Sequence, residues 1–290
     1  MRPSLQLFGL VPFVSLAATS FNLLSYGPHP RQVVGVWDDG QANHVSPWIV
    51  FIHGGAWRNQ QNSFRDFEPS VNNMMASGLL PPGTTLASID YRLSPCAIPG
   101  ANPCPAPVQH PDHILDVRAA LQMLAQQRGL KSNYVLIGHS AGATLSFQLL
   151  MGEAALQGRP LIRAPLPTTV IGIAGIYDMR GINHRFGGRY TDFLTQAFGW
   201  DQSVWDRASP VRFAGSFSER LPPPGRVLLA RSPGDSLVDG VELDTMARKL
   251  AGDGVALSVV ETLMGEHNAV WEDGRQIPGL VAQVLPRHQK

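Results

Sequence analysis

Residues 133–144 read NYVLIGHSAGAT, and this stretch decides the fold. Its apolar first half predicts a buried strand, and the apolar residues that follow it as far as Met151 predict a helix. Between the two stands GHSAG (residues 138–142), the G-x-S-x-G pattern of a sharp strand–turn–helix that raises a serine above the edge of a sheet. The glycines suit such a turn because side chains there would collide with neighbouring backbone. Ser140 is therefore the candidate nucleophile.

A second glycine motif lies upstream. HGGAW (residues 53–57) follows the apolar segment PWIVFIH at 47–53, which predicts another buried strand. Backbone N–H groups of such a loop, with the N–H of the residue after the serine, stabilise the negative charge that develops on an attacked carbonyl oxygen. We therefore predict an oxyanion hole formed by the N–H groups of Gly54, Gly55 and Ala141.

A serine hydroxyl is a weak nucleophile at neutral pH, so it needs a base and an acid that orients the base. In folds with this turn, the acid and then the base follow the serine along the chain. Among the downstream histidines, His184 precedes any acid-bearing strand and His288 lies in the C-terminal tail. His267 stands in a turn between a predicted strand and a helix. His267 is therefore the predicted base.

The candidate acid lies after another predicted strand. Residues 226–230 (RVLLA) lead into RSPGDSLVD at 231–239. Asp235 falls in the turn and is the predicted acid, whereas Asp239 is the alternative because it stands near the next helix N-cap. Asp90 and Asp178 also end strands, but turn or structural roles explain them better.

The rest of the chain alternates short apolar runs with amphipathic segments. Strands are predicted at 47–53, 85–91, 133–138, 169–176, 226–230 and 256–262, with an edge strand at 33–37. Helices are predicted at 111–127, 141–151, 241–251 and 269–285. This pattern predicts an α/β-hydrolase fold, with a mostly parallel central sheet and helices on both faces. Residues 26–290 form the single domain, with a small lid-like insertion around 179–216, and residues 1–25 are an apolar leader.

The composition limits the partners and cofactors. The 290 residues carry a formal net charge of +1 without any basic or acidic block, which argues against nucleic-acid binding. The two cysteines, Cys96 and Cys104, share one proline-rich loop and are either free thiols or a local disulfide. Nothing near them has metal-ligand spacing, so we expect no metal site. The expected partner is a small-molecule substrate.

The N-terminal sequence is compatible with two cellular locations. Residues 5–18 are apolar and follow Arg2, which is typical of a weak signal peptide or of a leader that packs on the domain. The run is short and contains Pro12, so we expect no membrane span. We predict a cytoplasmic protein, or a secreted one if residues 1–20 are a signal peptide.

Several motifs together resemble a known family. HGGAW, DYRLSP (90–95), HPDHILDV (110–117), GHSAGA, AFGWDQSVWDRASP (197–210) and DSLVD (235–239) are similar to those of fungal kynurenine formamidases. These are α/β-hydrolases that cleave N-formyl-L-kynurenine to L-kynurenine and formate without a cofactor. The resemblance implies Ser140 as nucleophile, Asp235 as acid and His267 as base, and it places the family's HGGxW loop at residues 53–57.

Three functions remain open. The first is an arylformamidase, and the second is a carboxylesterase that uses the same triad on a specialised metabolite. The third is a catalytically silent binding protein, which the complete set of site residues argues against.

The expected substrate pocket is aromatic. Trp57 and Tyr190 are predicted to contact an aryl group of the substrate. Aromatic core packing is the alternative for each of them, and other candidates for the wall are Tyr177, Phe186 and Phe193. Arg185 or Arg189 is the candidate to receive a substrate carboxylate.

Overall fold

The computed structural model describes residues 20–38, 47–95 and 107–285. Within these ranges, eight strands form one sheet in the order β1-β2-β4-β3-β5-β6-β7-β8. The strands are β1 (Asn22–Ser25), β2 (Val33–Trp37), β3 (Trp48–Ile52), β4 (Thr85–Ile89), β5 (Tyr134–His139), β6 (Thr169–Ile173), β7 (Arg226–Ala230) and β8 (Ala256–Val260). The two cysteines, His288 and the apolar run at residues 5–18 lie outside the described residues.

Helices connect and cover the strands. They are α1 (Glu68–Ser77), α2 (Asp112–Arg128), α3 (Ala141–Met151), α4 (Met179–Arg185), α5 (Thr191–Phe198), α6 (Gln202–Ala208), α7 (Gly240–Gly252), α8 (Ala269–Glu272) and α9 (Gln276–Val284). Short 3-10 helices cover Phe64–Phe67, Gly152–Ala155 and Pro210–Arg212.

The sheet is mostly parallel. Strands β3 to β8 pair in parallel, whereas β2 is antiparallel to both β1 and β4. Every residue of β3, β4, β5 and β6 is buried, as expected of strands covered by helices on both faces. The predicted layered architecture is therefore confirmed.

The structure differs from the prediction at one sheet edge and in two helical regions. Val33–Trp37 is not an edge strand, because Asn22–Ser25 pairs outside it. That outer strand lies within the range assigned to the leader. Helix α1 was not predicted, and few of its residues are buried. The helix predicted at 269–285 is two helices, α8 and α9, separated at Gly274, whose φ of 66° does not continue a helix.

The candidate site lies along the edge of the sheet that is formed by the carboxyl ends of the parallel strands. The carboxyl ends of parallel strands point the same way, so the loops that follow them converge. These are the β3 loop (residues 53–57), the turn after β5, the β7 loop (231–239) and the β8 loop (261–268). The insertion carries α4, α5 and α6 and contributes to the wall of a cavity at this edge.

Candidate active site

Ser140 lies at a sharp turn between β5 and α3. Its backbone has a positive φ (φ 53°, ψ −120°), which non-glycine residues rarely adopt and which costs about 1–3 kcal/mol. The Ser140 N–H donates to the carbonyl of Ile173 at 2.8 Å and fixes the turn. Gly142 is required because a Cβ there would lie 2.1 Å from the carbonyl oxygen of Ile52. Ala141 begins α3, and the first N–H groups of a helix have no partner within it.

His267 and Asp235 are in direct contact. His267 Nδ1 lies 2.7 Å from Asp235 Oδ2, and the two side chains are 9% and 1% exposed. A carboxylate only accepts hydrogen bonds, so Nδ1 carries the proton and Nε2 is the basic nitrogen of the neutral ring. Ser140 and His267 line the same cavity. The structure therefore brings the predicted nucleophile, base and acid together.

The Asp235 carboxylate is stabilised as an anion. Its Oδ1 accepts hydrogen bonds from the N–H groups of Leu237 at 2.8 Å and Val238 at 2.9 Å. Burial alone would raise the pKa of this carboxyl, but His267 and the two N–H groups outweigh it and hold the pKa of Asp235 below its ordinary value. Asp235 is therefore ionised at neutral pH, as an acid that orients an imidazole must be.

Asp239, the alternative acid, belongs to a different network. Arg185 donates to both of its oxygens, at 2.7 and 2.9 Å, and to Glu242 at 2.5 Å. Glu242 also accepts hydrogen bonds from the N–H groups of Tyr177 and Asp178, at 2.5 and 2.7 Å. Burial raises the pKa of Glu242 to about 7 despite these partners, which lower it. The network ties the insertion to α7 and occupies one of the two arginines predicted to bind a carboxylate.

Two serines join the β7 and β8 loops. Ser232 Oγ donates to the carbonyl of Gly265 at 2.6 Å, and Ser236 Oγ donates to the Glu266 carboxylate at 2.7 Å. The first loop carries the candidate acid and the second carries the candidate base. These contacts therefore hold the acid and the base at a fixed separation.

The β3 loop places Gly54 beside the serine. A Cβ at Gly54 would lie 2.9 Å from Ser140 Cβ, so no side chain fits there. The Tyr91 hydroxyl is within 3.1 Å of the carbonyl oxygens of His53 and Gly54. In a trans peptide the N–H is opposite to the C=O, so the N–H groups of Gly54 and Gly55 point away from Tyr91. Gly55 also lines the cavity.

Trp57 is part of the core. Its side chain is 0% exposed and packs against Phe193 and Phe198, with ring centroids 6.2 and 4.9 Å away. Trp57 therefore cannot stack on a substrate from this position, contrary to the expectation from the sequence. Trp57, Ala56 and Gly55 all have positive φ, so the buried ring anchors a strained loop.

The cavity has a volume of about 320 Å³. It is lined by Gly55, Ala56, Arg58, Asn59, Asn62, Ser140, Ile176, Arg189, Tyr190, Phe193, Leu237, Val238, His267 and Asn268. Tyr190 stacks on Phe186 with ring centroids 4.8 Å apart, and its hydroxyl donates to the carbonyl of Leu237 at 2.5 Å. Tyr190 lines the cavity, and its contact with a substrate stays a prediction.

His139 connects the serine turn to the β8 loop. Its Nε2 lies 3.0 Å from the carbonyl oxygen of His267, and a carbonyl only accepts, so this nitrogen carries the proton. Burial lowers the pKa of His139 to about 3, as it does for the buried His110 and His113. The neutral His139 ring therefore holds the backbone of the candidate base.

Among the residues that the structure describes, no three His, Cys, Asp or Glu side chains are grouped so as to hold a metal ion. In the same three ranges, no helix combines the length and the apolar character needed to cross a membrane.

Comparison with known proteins identifies the family. The BD-FAE family model matches residues 36–213. A kynurenine formamidase-like hydrolase of Fusarium equiseti is 32% identical over 273 residues, which cover 88% of this chain and 89% of the relative. The kynurenine formamidase of Meyerozyma guilliermondii is 33% identical over 261 residues, which cover 87% and 89%. The chain belongs to the BD-FAE and kynurenine formamidase families.

Solved structures establish the fold of this kynurenine formamidase family member. Esterase B from Lactobacillus rhamnosis superposes with a TM-score of 0.68 and 17% identity, over 92% of this chain and 84% of that one. A thermostable esterase from Pseudomonas putida superposes with a TM-score of 0.64 and 18% identity, over 93% and 82%. At these identities the likeness concerns the fold alone. The predicted α/β-hydrolase fold is confirmed.

Some contacts of this family member had no local signal in the sequence. The carbonyl contacts of Tyr91 and His139, and the bond from Ser232 to the β8 loop, join segments that are far apart in sequence. For Tyr91, the one indication in the sequence was its place in the DYRLSP motif. These residues position the candidate site without lining its cavity.

Proposed function

We propose that this chain is a serine hydrolase that cleaves N-formyl-L-kynurenine to L-kynurenine and formate. The observation that carries the proposal is that Ser140 and His267 line one cavity, with Asp235 2.7 Å from His267 on the ring's other nitrogen. The choice of substrate is supported by relatives named kynurenine formamidase, one of them 33% identical over most of both chains.

The first half of the reaction acylates the serine. Ser140 Oγ attacks the formyl carbon while His267 Nε2 takes the hydroxyl proton. N–H groups of the β3 loop and of Ala141 stabilise the oxyanion, and Asp235 stabilises the imidazolium. His267 then protonates the aniline nitrogen and the C–N bond breaks. Kynurenine leaves, and a formyl ester remains on Ser140.

The second half releases formate. A water molecule attacks the formyl ester while His267 takes one of its protons. The tetrahedral intermediate collapses, the bond to Ser140 Oγ breaks, and His267 returns the proton to this oxygen. One water is consumed for each formamide cleaved, and no other co-reactant is needed.

The size and lining of the cavity support a small aryl substrate. Its volume of about 320 Å³ is near the lower end of the range for ligand sites, roughly 300–1,000 Å³. Tyr190 and Phe193 provide an aromatic wall for the ring. Formyl is the smallest acyl group, and delocalisation of the nitrogen lone pair into the ring makes an anilide a better leaving group than an alkyl amine. Long acyl chains should be poor substrates.

The test follows both products. Purified protein is incubated with N-formyl-L-kynurenine, kynurenine is measured by its absorbance, and formate is measured with a coupled dehydrogenase. We expect equal amounts of both. Ser140→Ala should fold normally, judged by circular dichroism, and should lose roughly a thousandfold or more in kcat.

The competing esterase function is tested in parallel with p-nitrophenyl acetate and butyrate. We expect kcat/KM to fall from acetate to butyrate, and the value for formyl-kynurenine to match or exceed that for acetate although the ester is intrinsically more reactive. Rapid ester cleavage without any release of formate would overturn the proposal in favour of a carboxylesterase.

A further inference from the structure

We propose that Arg189 forms an anion subsite at the rim of the cavity and binds a carboxylate carried by the substrate. Aryl substrates with an acidic side arm are then preferred over neutral ones. This inference rests on the proposed function for the position of the reacting group, and it adds the residue that selects the rest of the substrate.

The charges of the cavity wall are unbalanced. Two guanidinium groups, those of Arg58 and Arg189, line the cavity, and none of the lining residues is an aspartate or a glutamate. Arg58 is already neutralised, since it forms an ion pair with Asp192. Arg189 donates through Nε to the carbonyl of Phe186 at 3.1 Å. Among the described residues, no carboxylate lies within ion-pair distance of Arg189.

Arg189 is held in position by Phe186, whose carbonyl also accepts the backbone N–H of Arg189 at 3.3 Å. Its guanidinium lies over the ring of Phe186, 5.6 Å from the centroid. The next residue, Tyr190, stacks on the same ring and donates its N–H to Asn183 Oδ1 at 3.0 Å. Within the described part of the chain, Nε is the only side-chain donor of Arg189 that has a hydrogen-bond partner. The two terminal nitrogens can therefore bind a carboxylate in a bidentate manner. The Arg189 side chain therefore loses little further conformational freedom when the anion binds.

The burial pattern gives the direction of binding. Ser140 and His267 are buried, whereas Arg189 is exposed. The reacting group therefore enters the inner end of the cavity, and the side arm of the substrate stays near the rim. Tyr190 and Phe193 lie in the same wall and suit the aryl ring that joins the two ends.

The experiment uses two pairs of probes that differ in one carboxylate. The formamide pair is N-formyl-L-kynurenine and N-formylkynuramine, which lacks the carboxyl group. The ester pair is 3-(4-acetoxyphenyl)propionate and its carboxamide. The readout is the selectivity ratio, defined as kcat/KM for the anionic probe divided by kcat/KM for its neutral partner.

Arg189→Gln should lower the selectivity ratio about tenfold, mainly through KM, because a charged hydrogen-bond pair is lost at a site open to solvent. Arg189→Lys should give an intermediate ratio, since it keeps the charge but loses the planar fork. The matched control is Arg58→Gln, which removes a guanidinium that Asp192 already neutralises and should change the ratio much less. The wild-type ratio should also fall as salt is added.

The outcomes separate this inference from the proposed function. A ratio that Arg189→Gln leaves unchanged, or that only Arg58→Gln lowers, overturns the anion subsite even if formyl-kynurenine is cleaved. If neither formamide is cleaved but Arg189→Gln lowers the ratio for the ester pair, the proposed function fails and the anion subsite stands.

Discussion

Replacement of Asp235 by asparagine tests the pairing on which the proposed chemistry depends. Asp235→Asn removes one negative charge that lies 2.7 Å from His267 Nδ1, in a pair that is almost completely buried. At an effective dielectric constant of about 20, two unit charges about 4 Å apart interact with roughly 4 kcal/mol. An imidazolium that forms in the transition state loses this stabilisation, and about 1.4 kcal/mol corresponds to one power of ten in rate. We therefore expect kcat to fall about a thousandfold.

The assay compares Asp235→Asn with Asp239→Asn on formyl-kynurenine and on p-nitrophenyl acetate at pH 7.5. Asp239 contacts Arg185, and the partly exposed pair is expected to matter little, so the control should lose less than about tenfold. Thermal unfolding shows whether both variants are folded. If Asp235→Asn retains more than a tenth of the activity, or if Asp239→Asn is the more damaging change, the assignment of the acid is refuted.

Two further predictions concern packing and pH. Gly54→Ala places a Cβ 2.9 Å from Ser140 Cβ and should lower kcat about a hundredfold, because it displaces the serine. The control is Gly279→Ala in α9, whose Cβ would meet no atom within 4 Å. This control should leave kcat unchanged and raise the free energy of unfolding by about 0.5–1 kcal/mol. His110, His113 and His139, with pKa values of about 3, stay unprotonated in the folded state at pH values below about 6.5, where the unfolded chain protonates them. Glu242, with a pKa of about 7, holds a proton in the folded state and offsets one of the three. Unfolding therefore takes up about two protons net near pH 5.5, so the free energy of unfolding should fall by about 2–3 kcal/mol for each unit by which the pH is lowered. Denaturant unfolding that gives one constant free energy from pH 7 to pH 5 contradicts this.

The central part of the fold was predictable because its strands are buried on both faces. Continuous apolar runs such as 47–53 and 133–138 have few alternative explanations. The outer strand Asn22–Ser25 was not predicted, since it is short and largely exposed and has no alternating pattern. Its pairing with Val33–Trp37 moves the predicted edge strand into the interior of the sheet.

The candidate site was predictable where its chemistry follows the order of the chain. The serine turn, the glycine loop, Asp235 and His267 each follow a strand, and a parallel sheet brings such positions to one edge. The burial of a particular aromatic ring is decided by distant contacts. Trp57 packs against Phe193 and Phe198, more than a hundred residues away, so its sequence position beside the glycines did not reveal that it lies in the core.

The most direct test of the central claim is covalent labelling by a fluorophosphonate, followed by intact mass measurement and peptide mapping. A serine activated by His267 should react once per chain, with the adduct on Ser140, and formamide hydrolysis should disappear in proportion to labelling. Ser140→Ala should remain unlabelled. A fully active protein that resists the reagent, or an adduct on another residue that accompanies the loss of activity, would contradict the assignment of Ser140 as the nucleophile.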